Sequence, residues 1–147
     1  MRKLPYIVTR PCLTDITRGH MRLMLVMAKH RPHVRVGETL RIEAPDGRRA
    51  VTARCILRGV IALNPDGIVR ASEILKLPQG DGLANLLHAA EQAAPGAFKA
   101  RETLAHLCGI ATYVDLYARE RARAGRGRLL RREVIGWDSV SETEPSP

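Results

Sequence analysis

The sequence predicts an α+β domain, a small antiparallel β-barrel with an inserted helical segment, spanning residues 1–137 as a single unit. Three observations carry that prediction. Through the first half of the chain, apolar residues alternate with polar ones or run unbroken over strand-sized lengths. Tight turns rich in Pro, Asp, Asn and Gly join those segments. After Ser72 the apolar spacing lengthens to that of helices, and a last strand then closes the chain.

Leu4–Thr9, rich in β-branched residues and Tyr, predicts a first strand that ends at Pro11, where a backbone donor is lost. Leu13 and Ile16, three apart, give a short helix one apolar stripe, with Gly19 as its C′ residue. Met21–Ala28 is apolar at nearly every position, as in a strand covered on both faces. A basic loop, Lys29–Arg35, leads to Thr39, where Leu40, Ile42 and Ala44 alternate with Arg41 and Glu43 in a half-buried strand. Pro45-Asp46-Gly47-Arg48 predicts a tight turn and Ala50–Leu63 the returning strand, with Gly59 marking a bulge or barrel corner. Asn64-Pro65-Asp66-Gly67 is a second turn, before a short strand at Ile68–Arg70.

The helical insertion is expected over about residues 73–126. Asp81 caps a helix carrying Leu83, Leu86, Leu87 and Ala90 on one side, ended by Pro95-Gly96. Phe98–Leu107 forms the next, with Leu104, Leu107 and Cys108 as its stripe and Gly109 as its stop. Thr112 and Asp115 open a third helix in the manner of a capping box, and it runs to about Ala124. Leu129–Trp137 reads as the closing strand, and residues 138–147 as a disordered acidic tail.

Charge points to the ligand. A net charge of +9 draws polyanions at neutral pH. Five basic residues and no acid lie between Arg18 and Arg35, and seven arginines with one acid, Glu120, between Arg119 and Arg132. The guanidinium fork matches phosphate, so these stretches predict a nucleic-acid interface. Arg22, Lys29, Arg31 and Arg35 would flank one side of a cleft, and Arg119, Arg121, Arg123, Arg126 and Arg128 the other. His20, Met21, Met24 and His33 are the candidate cleft residues between them. Large rings are too sparse for a surface of several base-stacking platforms, and Trp137 is assigned to the core.

Other chemistry finds little footing. Cys12, Cys55 and Cys108 stand far apart and form no CxxC pair, which fits buried structural thiols in a reducing, cytoplasmic setting. No stretch approaches the ~20 apolar residues of a membrane span, so no membrane partner is expected. His20, His30 and His33 lack nearby cysteine or acidic co-ligands, so neither a metal nor another cofactor is expected.

Taken in order, several segments resemble the ASCH family, relatives of the PUA domain, and especially its prophage members. They are the first strand and short helix ending in Arg18-Gly19, the strand directly after it, and Arg35-Val36-Gly37-Glu38-Thr39-Leu40-Arg41-Ile42, where the family has a VGD-L-hydrophobic strand. Gly109-Ile110 followed by Tyr113–Leu116, and the terminal Val134-Ile135-Gly136-Trp137, complete the set. The resemblance covers most of residues 4–137, with 73–100 matched least. It implies a PUA-like β-barrel with a cleft suited to RNA or modified nucleotides. Some ASCH proteins hydrolyse acylated cytidine or cut RNA, using a Lys and a Thr from a G-x-K-T-x-T segment and a Glu before the later helix. Here Met21 and Met24 stand where the Lys and the second Thr belong, and Cys108 lies near the expected acid. Methionine has no proton to lose near neutral pH and no oxygen or amine nucleophile.

The expected function is therefore binding of RNA or another single strand in a basic cleft, without catalysis and with RNA favoured over duplex DNA. One alternative is an ASCH-type hydrolase of RNA or an acylated nucleoside, with His20 or Glu43 covering for the missing groups. Another is a helix-turn-helix DNA reader built from Leu104–Ile110 and Thr112–Arg123, although Asp115 occupies the position that should hold its second helix against the first. A third is an accessory protein whose partner is another protein.

Overall fold

A computed structural model describes residues 5–27, 34–76, 97–124 and 130–143. Its elements, in chain order, are β1 (Tyr6–Ile7), α1 (Arg10–Thr17), β2 (Leu23–Val26), β3 (Thr39–Glu43), β4 (Ala50–Asn64), β5 (Gly67–Lys76), α2 (Ala97–Leu107), α3 (Tyr113–Ala124) and β6 (Leu130–Thr143). The helix expected from Asp81 to Pro95-Gly96 and the tail beyond Thr143 lie outside the described residues.

Pro11 opens a helix rather than merely ending a strand. It sits in the first turn of α1, where its missing N–H would have no intrahelical acceptor, and Thr9 caps that turn by accepting from the Cys12 N–H at 3.3 Å. Leu13 and Ile16 are fully buried, and Gly19 leaves the helix at φ +77°, a region in which a side chain is strained. Gly109 does the same after α2 at φ +75°. The Asp115 N–H donates to Thr112 Oγ1 at 3.2 Å, which opens α3 where the sequence indicates.

β4 is the spine. One of its edges pairs with β6 along most of its length, and the other is shared by β3, at Ala50–Arg54, and β5, at Leu57–Asn64. Register shifts between Ala53 and Leu57 and again around Gly59 bend the strand between those two regions. The result is a curled half-barrel in the order β1-β3-β4-β6-β2, with β5 joined to β4. The expected all-antiparallel sheet is corrected in one respect: β1 runs parallel to β3, with Tyr6 beside Ile42, because α1 carries the chain over the sheet before β2. β1 itself is only two residues long.

Two strands outrun their expected ends. β5 continues six residues past Arg70 to Lys76, and β6 six residues past Trp137 to Thr143, so the tail expected from Asp138 is strand as far as Thr143. In both, pairing with β4 supplies what local propensity lacks, with Leu57 beside Lys76 and Val51 beside Glu142.

The sheet is packed on both faces. On one, Leu13 and Ile16 of α1 meet Met24, Val26, Leu40, Ile42, Ile135 and Trp137. On the other, α2 and α3 bring Leu104, Tyr113 and Leu116 against Leu23, Leu25, Ile61, Leu63 and Val134. All four residues of β2 are buried, alternately in the two cores, as its unbroken apolar run indicates. Tyr113 ties α3 to the β4–β5 turn through its hydroxyl, 2.7 Å from the Asn64 carbonyl, and burial pushes its phenol above the ordinary range.

Candidate nucleic-acid interface

Side-chain alternation along β6 sorts its residues. Leu130, Arg132 and Val134 face the α2–α3 layer, whereas Arg131, Glu133, Ile135 and Trp137 face the α1 side. Ile135 and Trp137 lie in the core with Leu13 and Ile16. Toward the other end of the strand the same face turns polar, and two adjoining hollows open there.

The smaller hollow, about 380 Å³, is lined by Val60, Ala62, Arg70, Ser72, Arg131 and neighbouring backbone. Its geometry follows from register. Ala62 is paired with Arg70 on one side and Arg131 on the other, so two exposed guanidinium stems flank a single methyl group. Two strand spacings separate the backbones of Arg70 and Arg131, roughly 10 Å. Among the described residues, no acidic residue lines this hollow.

The larger hollow, about 420 Å³, shares Val60 with the first and continues to Val34, Arg35, Val36, Arg58, Gly59, Glu73, Leu75 and Glu133. Arg58 and Glu133 form its inner wall. Their side chains keep only 18% and 10% of their exposure, stand 3.7 Å apart, and Arg58 also donates to the Val34 carbonyl. Opposite Gly59, β5 bulges, and Glu73 takes φ +54° there, a strained conformation for a residue with a side chain. The two hollows together make a furrow across β5, β4 and β6, carrying Arg35, Arg58, Arg70 and Arg131 against Glu73 and Glu133.

Among the described residues, the two arginine-rich stretches of the sequence meet at the furrow through Arg35 and Arg131. The remaining expected residues are placed elsewhere or fall outside the described residues. Lys29, Arg31, His33, Arg126 and Arg128 are in the latter group. Arg22 is partly buried beside Trp137, midway along β6, its backbone N–H on the Leu107 carbonyl and its guanidinium 3.5 Å from the Trp137 carbonyl. His20 is exposed in the loop after α1, packed beside Gly109. Met21 lies against Cys12, sulfur to sulfur at 3.4 Å, and Met24 is buried in the α1-side core instead of lining a cleft.

The α3 arginines do not line the furrow. Arg119 and Arg123 are exposed, Arg123 is held 3.4 Å from Glu120, and Arg121 is half-buried with one nitrogen lacking a hydrogen-bond partner among the described residues. Glu120 itself is buried and accepts from Arg132 Nε at 2.7 Å, so part of this charge run is spent on packing α3 to β6. Conversely, Arg58, Arg70 and Arg131 were not singled out as contacts from the sequence. Their signal is registry across strands, whereas runs of charge along the chain report only neighbours in sequence.

The side chains at the three positions where the resemblance would place catalytic groups are packed against their neighbours. Met21 and Met24 are packed as described, and burial raises the Cys108 thiol far above its ordinary range, which keeps it protonated at neutral pH. Burial also raises Cys12, with the Asp15 carboxylate adding to the shift. Among the described residues, no group of three or more His, Cys, Asp or Glu side chains is placed to hold a metal ion, and no helix is long and apolar enough to cross a membrane. Comparison with protein-family models, with curated proteins and with solved structures gave no match.

Proposed function

We propose that this chain binds single-stranded nucleic acid, RNA in preference to duplex DNA, along the furrow across β5, β4 and β6, and that it holds the strand without cutting it. The observation that carries this reading is the Arg70–Ala62–Arg131 row, in which two exposed cations flank a floor too small to fill the space between them. Each guanidinium can take a phosphate in a charge-assisted fork, and a furrow two strand spacings wide suits one backbone rather than two. The net charge of +9 supplies long-range attraction. The half-barrel and the placement of β2 directly after Gly19 support a PUA-like fold of the ASCH type. Burial of Met24 and Cys108 supports binding without catalysis.

The test is the salt dependence of binding to a short fluorescent uridine oligomer. We expect the logarithm of the association constant to fall linearly with that of salt, by about 0.7 for each phosphate held. Binding insensitive to salt, or tighter binding to a duplex of equal length, would overturn the proposal.

A further inference from the structure

We infer that the smaller hollow of the furrow is a seat for the terminal phosphate of a strand, a phosphomonoester at its 5′ or 3′ end, held jointly by Arg70 and Arg131. This rests on the single-strand reading above and adds to it which part of the strand is recognised. The two hollows differ in charge. The larger sets Glu73 and Glu133 against Arg35 and Arg58, so its formal charges cancel. The smaller holds Arg70 and Arg131 with no acid among the described residues, so the furrow's surplus of positive charge is gathered at one place. An internal phosphodiester brings a single negative charge to that place. A terminal phosphomonoester brings between about −1.5 and −2 at pH 7, on three strongly accepting oxygens.

The geometry suits one tetrahedral anion. Arg70 and Arg131 share a face of the sheet, because both are registered against Ala62, and their backbones stand two strand spacings apart, roughly 10 Å. From there the two guanidinium forks can close on a single group above the Ala62 methyl. Neither guanidinium has an ion pair or hydrogen bond among the described residues, and both side chains are exposed, so their donors are open to a ligand. Ser72, two residues from Arg70 on the same face of β5, lines the same hollow and adds a hydroxyl donor. The rest of the lining is aliphatic. It offers no ring on which a base could stack, so the seat reads the phosphate and leaves the nucleotide unread.

The experiment measures, on the unaltered protein, the affinity of one internally labelled uridine oligomer with hydroxyls at both ends, with a 5′ phosphate, with a 3′ phosphate, and with each phosphate capped as its methyl ester. We expect a terminal phosphate to tighten binding about tenfold, the worth of one further charge-assisted contact. The methyl cap, which leaves a monoanionic diester, should remove most of that gain. A gain at either end supports the seat, and the end that gives it sets the direction of the strand. Arg70→Ala should abolish the gain, whereas Arg119→Ala on α3 should keep it; both side chains are exposed, so both variants are expected to fold. Equal, salt-dependent affinity for all the oligomers, or a gain that survives the methyl cap or Arg70→Ala, overturns the terminal-phosphate seat and leaves the single-strand reading standing. No salt-dependent binding of any oligomer overturns both.

Discussion

Replacing Arg70 and Arg131 together by alanine is expected to weaken binding of a single-stranded RNA by about a hundredfold, roughly tenfold for each charge-assisted contact removed. Both side chains are exposed and flank Ala62 without supporting the core, so the melting temperature should stay within a degree or two of the unaltered protein. The salt slope should become shallower by about 1.4, which is two lost phosphate contacts at the single-strand value. Arg119→Ala, on α3, should change neither quantity appreciably. That contrast separates a contact made at the furrow from a general loss of positive charge, because the single α3 substitution and each furrow substitution remove the same unit of charge. Affinity titrations of the single and double variants at several salt concentrations measure all of it.

Arg132→Ala should produce the largest loss of stability, roughly 3–5 kcal/mol, because it leaves Glu120 buried beneath α3 without its main partner. The Arg132 guanidinium donates through Nε to the Glu120 carboxylate at 2.7 Å and through Nη2 to the Glu120 carbonyl at 3.2 Å, and both side chains are more than nine-tenths buried. Arg123, at 3.4 Å and more than half exposed, is too wet to take over that role. Removing both charges at once, as Glu120→Met with Arg132→Leu, should recover most of the loss, since an apolar pair of similar volume avoids the desolvation that the ions incur. Urea denaturation of the single and double variants measures the difference. A single variant that loses less than ~1 kcal/mol would show the pair to be solvated in solution.

Local signals in the sequence located most element boundaries. Gly19 and Gly109 stand where helices end at positive φ, the Pro45–Arg48 and Asn64–Gly67 turns join the strands they punctuate, and Gly59 lies at the register shift of β4. Each depends on a backbone conformation that few residues adopt, so each is visible in a few letters. The ends of β5 and β6 are different. Ser72, Glu73 and Lys76, or Asp138, Ser141 and Glu142, carry no strand propensity of their own, and only the unsatisfied edges of β4 draw those segments into the sheet.

The candidate site was harder to read for the same reason. Charge clustering along the chain found Arg35 and the stretch containing Arg131, but it could not tell that Arg131 and Arg132 face opposite sides of the sheet, one to the furrow and one to Glu120. Nor could it pair Arg70 with Arg131, which are joined only through Ala62. The sequence also treated the α3 run as one functional unit. In the fold, that run divides between exposed arginines and the ion pair that anchors the helix.

α3 nevertheless presents an exposed side, with Val114 at 72% exposure beside Asp115 and Arg119, and it is the competing surface for any nucleic acid. Backbone amide shift changes on titrating a short single-stranded RNA into the labelled protein decide between the two surfaces. The furrow is supported if the largest changes fall on residues 60–62, 70–73 and 131–133. Changes confined to residues 113–123, with the furrow unmoved, would contradict it.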